Sequence, residues 1–169
     1  MEKKLKNDGE KVRSIIADAG GQIVGRTKLQ KIAYLLEIAG EGDGFHFEYH
    51  HYGPYSDDLT RAASIACMMG DVAEKERATN WGGFYSIYTT SAVSQQNGTR
   101  QRLAKTAAKA NSVVLELAAT AAYFAISGES DPWQETEKRK PDKAEEGRLE
   151  EAKKLYAELC IISEKLPRI

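Results

Sequence analysis

Disulfides and membrane spans are both disfavoured by what the sequence lacks. The chain has two cysteines, Cys67 and Cys160, which lie far apart and without C-x-x-C spacing, so we expect reduced, buried thiols. Its most apolar run, residues 112–127, is shorter than the roughly 20 residues of a bilayer span, and Glu116 interrupts it. The basic start, MEKKLKNDGEK, has no signal-peptide pattern. We therefore expect a cytoplasmic protein that does not enter a membrane.

An excess of charge of either sign is also missing. The net charge is −1, with 29% charged and 41% hydrophobic residues, which is typical of an ordinary globular protein. This balance provides no overall attraction to nucleic acid or to an anionic membrane surface. Because there are no repeats, low-complexity segments or dividing linkers, residues 1–169 are predicted to form a single domain with a sizeable core.

Signatures of catalysis and of metal binding are absent. The sequence has no G-x-S-x-G motif, and GGQIVGR lacks the Lys-Ser/Thr ending of a phosphate-binding loop. The three histidines are His46, His50 and His51; on an extended strand the first two share a face about 13 Å apart, and the third points away. Zinc needs three or four converging ligands. We expect no catalytic residue, no metal and no cofactor, and hence no enzyme.

Hydrophobic periodicity predicts a mostly helical (α+β) fold. The predicted helices span residues 3–19, 28–39, 57–69, 99–110, 112–127, 133–140 and 145–165. VAEKERA and FYSIYTTSA, on either side of TNWGG, predict a β-hairpin within residues 72–90. The predicted order is a helix, a short extended piece, two further helices and a hairpin, which is the order of elements in a winged helix-turn-helix. We therefore expect a winged-helix-like part, residues 1–92, with a helical C-terminal part, residues 93–169, packed on it.

Local signals refine the boundaries and the core. Thr27 and Gln30 have the spacing of a capping box, which predicts that the second helix begins near Lys28. Strict alternation over residues 45–52 predicts a strand, and Gly53-Pro54 a turn after it. Ser56 is then expected to cap the third helix. The side chains predicted to be buried include Leu5, Ile15, Ile16, Leu29, Ile32, Leu36, Leu59, Met69, Leu117 and Ala121.

One window of the sequence is basic and aromatic. No acidic residue occurs between Glu76 and Glu116. The window contains Arg77, Arg100, Arg102, Lys105 and Lys109, with Trp81, Tyr85 and Tyr88 among them. These side chains are candidates for contacts with DNA phosphates or with an acidic protein. A solvated helix face, balanced by acidic neighbours in the fold, is the other interpretation, and the near-zero net charge slightly favours it.

Tyrosines surround the Gly53-Pro54 dipeptide. Tyr49, Tyr52 and Tyr55 lie within a few residues of it. Tyrosines in such a setting either pack with their hydroxyls hydrogen-bonded or anchor a binding partner. Packing is favoured for at least one of them. Tyr49, Tyr52, Gly53, Pro54 and Tyr55 together are the candidate partner-binding site.

Several separated blocks carry a resemblance to a known family. RTKLQKIAYLLE followed by FEYHHYGPYSDDL resembles the shared signature of the YwgA-like proteins and of the related SocA-type, or Panacea, antitoxin domain. That signature is a K-L-Q-K helix, an aromatic strand, and Y-G-P before the next helix. LELAATAAYFA and KRKPDKAEEGRLEEAKKLYAEL are similar to the closing half of the YwgA-like group, in which an L-E-L-x-A-T helix precedes a K-P motif. The resemblance covers about residues 24–159 and is nearer to the YwgA-like side.

The resemblance implies a helical, winged-helix-like fold without catalytic residues. Antitoxins of the related branch neutralise toxins by direct protein contact, whereas YwgA-like members mostly lack an assigned activity. We therefore expect a non-enzymatic protein-interaction module, antitoxin-like or regulatory, whose partner is a protein such as a toxin. The alternative is a DNA-binding winged-helix regulator, although Asp57 and Asp58 at the start of the third helix would repel phosphates. A homo-oligomer is compatible with either function.

Overall fold

Helices predominate in a mixed fold of helices and small sheets. The computed structural model describes residues 2–92 and 94–169, with the backbone alone for residues 2–6. Within that part of the chain the elements are α1 (Glu2–Asp18), β1 (Gln22–Val24), α2 (Arg26–Ile38), β2 (Glu48–His50), β3 (Gly53–Tyr55), α3 (Asp57–Met68), β4 (Ala73–Ala78), β5 (Phe84–Thr89), α4 (Thr99–Lys109), α5 (Ser112–Ile126), α6 (Pro132–Arg139), α7 (Pro141–Ala144) and α8 (Arg148–Ile162).

The strands in the described residues form two antiparallel sheets. One has three strands in the order β1–β5–β4, with Gln22 opposite Thr89 and Ala78 opposite Phe84. The other is the β2–β3 hairpin, inserted between α2 and α3. The predicted β4–β5 hairpin and the extended piece before α2 are both confirmed.

The core lies between α2 and α5 and the helices around them. α5 is apolar on nearly all sides, as its sequence predicts, and Leu117 and Ala121 are fully buried. The other predicted core residues are also buried, with two qualifications. Met69 is half exposed because α3 has already ended there, at the left-handed Gly70 (φ 79°). The side chain of Leu5 lies outside the described residues.

The capping box predicted at the start of α2 is wrong. The helix begins at Arg26, after Gly25 with a positive φ of 102°, and no side chain caps it. The capping-box partner Gln30 is instead buried and hydrogen-bonds with both the backbone N–H and the carbonyl of Ser56 (2.8 and 2.9 Å). The Gln30 side chain therefore makes a tertiary contact with Ser56 and does not cap α2. Ser56 does cap α3, accepting a hydrogen bond from the backbone N–H of Leu59.

The turn predicted at Gly53-Pro54 is also wrong. The chain turns at His51 and Tyr52, and Gly53 and Pro54 belong to β3, paired with His50 and Tyr49. Gly53 has φ 86°, which lets the strand leave the turn in a conformation that other residues adopt with strain. The strand predicted over residues 45–52 is observed only as β2, because the residues before β2 have no strand partner among the described residues.

The last part of the chain contains one more helix than predicted. Pro141 ends α6, as expected, and also opens the short helix α7, where its missing N–H is tolerated at the first position. α8 then begins at Arg148, after Glu146 and Gly147, both of which have positive φ. Cys67 and Cys160 are free thiols, and both are half-buried rather than buried as expected. In the described residues, no helix combines the length and the apolar character needed to cross a membrane.

Candidate functional site

A buried lysine on α2 lies at the centre of the most unusual polar site. α2 is buried on most of its surface, and Lys31 in its middle is 0% exposed. Its ammonium Nζ donates a hydrogen bond to the carbonyl of Pro54 at 2.6 Å. Because a buried amine needs an acceptor, this bond ties α2 to the β2–β3 hairpin.

A single carboxylate on α5 binds two further lysines. Glu116 is 3% exposed. Its Oε1 accepts hydrogen bonds from Lys140 Nζ (2.9 Å) and Lys143 Nζ (2.7 Å), and its Oε2 accepts one from Lys143 (2.9 Å). Lys140 is also buried and donates to the carbonyl of His51 at 3.0 Å. Lys31, Glu116, Lys140 and Lys143 are called the lysine cluster below.

Positive groups outnumber negative ones in the lysine cluster. Three ammonium groups face one carboxylate, and only Lys143 is appreciably exposed. Burial lowers the pKa of Lys31 to about 7; Glu116 opposes that shift, and the positive charges of Lys140 and Lys143 add to it. Near neutral pH, Lys31 therefore loses its proton far more readily than an exposed lysine.

The hairpin approaches α5 so closely that only glycine fits at position 53. A Cβ on Gly53 would lie 2.5 Å from Thr120 Oγ1 and 3.9 Å from Lys31 Cε. Thr120 stands one turn after Glu116 on α5, is fully buried, and its hydroxyl has no hydrogen-bond partner among the described residues. An unpaired buried hydroxyl is uncommon.

The blocks that are far apart in sequence meet at this cluster. Lys31 comes from K-L-Q-K, Gly53 and Pro54 from Y-G-P, Glu116 and Thr120 from L-E-L-A-A-T, and Lys140 from K-P. Sequence reasoning singled out Gly53 and Pro54 but missed the charged residues. Two signals pointed to them: a lysine on the same helical face as the apolar Tyr34 and Leu35, and a glutamate in the most apolar run of the chain.

Two of the predicted tyrosines line a cleft next to the cluster. This tyrosine cleft, of about 490 Å³, lies between α2, α3, the β2–β3 hairpin and the three-stranded sheet. Tyr52 is 51% exposed at its edge, and Lys143 Nζ lies 4.6 Å from the centre of its ring. The Tyr55 hydroxyl hydrogen-bonds with Thr60 Oγ1 at 2.6 Å. The lining residues include Leu29, Lys31, Tyr52, Tyr55, Leu59 and Ala63.

Tyr49 has a different role from the other two tyrosines. Its ring packs against Tyr123 and Phe124 of α5, with ring centres 5.5 and 5.3 Å away, and burial raises its pKa. It is half-buried and does not line the tyrosine cleft. The prediction that at least one tyrosine packs is confirmed.

A second cleft opens on the other side of the lysine cluster. This lysine cleft, of about 410 Å³, is lined by residues of β2, the β2–β3 turn and the α6–α7 junction. Its charged side chains are Arg139, Lys140 and Lys143 on one hand and Asp142 on the other, and His50 and His51 complete the wall. Arg139 is bound by Glu135 (2.7 Å). The lysine cleft therefore has a predominantly basic lining.

The predicted basic window does not form one uniform surface. Arg77 is exposed on β4, and Arg102 is exposed and Lys105 half-buried on α4. Arg100, on the same helix, is only 15% exposed and binds the carboxylates of Asp18 (2.5 Å) and Asp43 (3.0 Å). Its guanidinium is thus engaged inside the fold and is not available to an external phosphate.

The histidines are separated by a carboxylate and do not converge. His46 and His50 lie on either side of Glu48, at 3.5 and 3.8 Å. His51 stacks edge-on against Tyr52. In residues 2–92 and 94–169, no group of three or more histidine, cysteine or acidic side chains is placed to hold a metal ion.

Comparison with known proteins finds a partial relative. Over 76 residues, 44% of this chain, the sequence is 34% identical to the uncharacterized protein YwgA of Bacillus subtilis (strain 168). The matched segment spans 43% of that protein, less than half its length. This similarity supports a relationship to YwgA-like proteins. No family model matches the chain, and no solved structure matches it.

Proposed function

We propose that this chain is a YwgA-like protein-interaction module that acts by direct, non-enzymatic contact with a partner protein, in the manner of an antitoxin or of a regulator. The observation that carries the proposal is the tyrosine cleft, with Tyr52 half exposed at its edge and Tyr55 in its wall. Tyrosine supplies a large apolar area with a polar tip and is enriched among the residues that dominate binding energy.

Side chains of α2 hold the β2–β3 hairpin, which carries these tyrosines, in place. Lys31 binds the Pro54 carbonyl, and Gln30 binds both backbone groups of Ser56. A rigid hairpin loses little conformational freedom on binding, which favours affinity. The buried polar contacts therefore support a preformed docking surface.

The lining of the tyrosine cleft fits an apolar side chain of a partner protein. Leu29, Leu59 and Ala63 contribute apolar surface. The basic residue at the rim, Arg26, is already bound by Glu74 at 3.1 Å. An apolar anchor with polar residues around it is the usual composition of a protein-binding hot spot.

The test is direct binding of the proteins encoded next to this gene. Each is co-expressed and purified with the chain, and growth is measured when the neighbour alone is toxic. Tyr52→Ala is expected to weaken the complex by at least about tenfold. Trp81→Ala is the matched control, because Trp81 is an exposed aromatic (86%) in the β4–β5 turn, outside the cleft. Equal binding by wild type and Tyr52→Ala, or no binding by any neighbour, contradicts the proposal.

DNA binding as a winged-helix regulator is a second candidate. The order α1, β1, α2, α3, β4, β5, with the strands arranged β1–β5–β4, supports it, since this is the plan of a winged helix interrupted by the β2–β3 hairpin. Asp57 and Asp58 at the start of α3 oppose it, and Arg61 on that helix is already paired with Asp58. The exposed basic side chains that remain for phosphate contact include Arg77 and Arg102.

Salt dependence separates the two candidates. If Arg77 and Arg102 contact phosphates, the affinity for duplex DNA falls by roughly 0.9 log units per tenfold increase in salt for each contact. Replacing both with glutamate then weakens binding and flattens that dependence. No binding of mixed-sequence duplex at low salt removes this candidate.

A further inference from the structure

We propose that the lysine cleft is a binding site for an oxyanion, a carboxylate or a phosphate, which completes the charge balance of the lysine cluster. The cleft opens at the α6–α7 junction, and Lys140 and Lys143 both line it while binding Glu116 behind it.

The first argument is the imbalance of buried charge. Lys140 and Lys143 share one carboxylate, Glu116, although Lys140 is almost fully buried. Charges that leave water are stable only when they are paired. A second anion beside Lys140 and Lys143 would supply the missing partner.

The second argument is the number of hydrogen-bond donors. An ammonium group has three N–H donors. The Lys140 ammonium donates to Glu116 Oε1 and to the His51 carbonyl, which occupy two of them. Lys143 donates to both Glu116 oxygens and is about one-third exposed, with the Tyr52 ring 4.6 Å away. Both groups retain capacity to bind a further acceptor from the cleft.

The third argument is the chemistry of the remaining wall. Arg139 contributes a guanidinium, and His50 and His51 contribute imidazoles. The opposing charge is Asp142, which is exposed at the mouth, and Glu135, which binds Arg139. A volume of about 410 Å³ accommodates a phosphate or the end of an acidic side chain.

The experiment measures affinity by calorimetry and locates binding by backbone amide shifts. The full chain is titrated at constant ionic strength with inorganic phosphate, with succinate, and with a blocked tripeptide containing one central glutamate. Binding with shifts at His51 and around residues 139–143 is expected for at least one of them. Phosphate alone identifies a phosphate site, and succinate or the peptide identifies a carboxylate site.

Two substitutions with opposite expected effects distinguish a change in binding from a loss of folding. Lys143→Gln is expected to weaken binding by about tenfold, because a charge-assisted hydrogen bond is lost. Asp142→Asn is expected to tighten binding by about threefold, because a like charge leaves the mouth; damage to the fold cannot produce such a gain. Lys153→Gln on α8, a half-exposed lysine paired with Glu150 (3.0 Å), is the matched control and should bind as wild type.

The proposal is overturned by three results. The first is absence of binding by all three probes. The second is binding whose amide shifts lie elsewhere. The third is binding that Lys143→Gln and Asp142→Asn leave unchanged, which would show a general effect of anions on the surface.

Discussion

Two ion clusters inside this protein have opposite imbalances of charge. In the first, called the arginine clamp, Arg100 is the cation that binds the carboxylates of Asp18 and Asp43, and Gln101 also donates to Asp18. In the lysine cluster, Glu116 is the one carboxylate among the described residues that binds Lys140 and Lys143, with Lys31 nearby. The clamp joins α4 to α1 and to the loop after α2, and the lysine cluster joins α5 to the segment between α6 and α7 and, through Lys31, to the β2–β3 hairpin.

The difference lies in how completely the hydrogen-bond donors of each cluster are used. The Arg100 guanidinium donates to Asp18, Asp43, Ser14 and the carbonyl of Glu41, so its planar fork is used within the fold. The lysine cluster has surplus donors and lies against two clefts. A saturated cluster stabilises the fold, whereas an unsaturated one beside a cleft is where a ligand can act.

The largest expected effect is the loss of the carboxylate shared by the lysines. Glu116→Gln leaves the buried Lys140 and the partly exposed Lys143 without their anionic partner and should lower the free energy of unfolding by about 3–5 kcal/mol. Urea denaturation measures it, with Glu158→Gln on the exposed side of α8 as the control. A loss below about 1 kcal/mol would show that the cluster is hydrated and that the comparison fails.

Breaking the arginine clamp should have a somewhat smaller effect. Arg100→Ala leaves Asp18 and Asp43 without their cation and should cost about 2–3 kcal/mol, because Asp43 can turn partly to water. Arg102→Ala, on the exposed side of the same helix, should change stability by less than about 0.5 kcal/mol. If both variants unfold at the same urea concentration, the clamp is not a stabilising contact.

The pH dependence of stability should reveal Lys31. Its pKa is about 7 in the folded protein and about 10.4 in an unfolded chain, so the unfolded state binds more protons between these values. For this group, stability therefore rises with pH across that window, by about 1 kcal/mol per pH unit, and the gain is absent below pH 7. Glu116, Lys140 and Lys143 are the charged groups that act on it.

Lys31→Met isolates this contribution. The variant leaves the Pro54 carbonyl without its donor at every pH, so this loss changes the free energy of unfolding by the same amount at every pH. Its slope between about pH 7.5 and 9.5 should be shallower than that of wild type. Parallel curves for the two proteins would mean that Lys31 stays protonated in the fold.

The smallest expected effect concerns the unpaired hydroxyl of Thr120. Valine has nearly the same shape without the polar atom, so Thr120→Val should stabilise the protein by about 1 kcal/mol. Thermal unfolding measures the difference, and Thr106→Val, at a half-buried position on α4, serves as the control. Destabilisation instead would show that the hydroxyl has a partner, such as a bound water or ligand.

Local sequence patterns were sufficient for most of the elements. The helices α1, α3, α4 and α5, the Ser56 cap and the β4–β5 hairpin lie close to where the sequence predicts them. These features depend on neighbours within one or two turns, or on a short loop, so nearby residues contain the information. The same patterns failed at Gln30 and at Gly53-Pro54, where the deciding partners lie on other elements.

The sequence by itself determined which helices are buried and where glycine and serine end or begin them, because these are properties of local periodicity and backbone preference. Only the tertiary structure decided that Lys31, Pro54, Glu116 and Lys140 meet. The physical reason is that a buried ammonium is stable only beside an acceptor, and the fold brings those acceptors from segments more than twenty residues away. The same long-range pairing removed Arg100 from the predicted basic surface and placed it in the clamp.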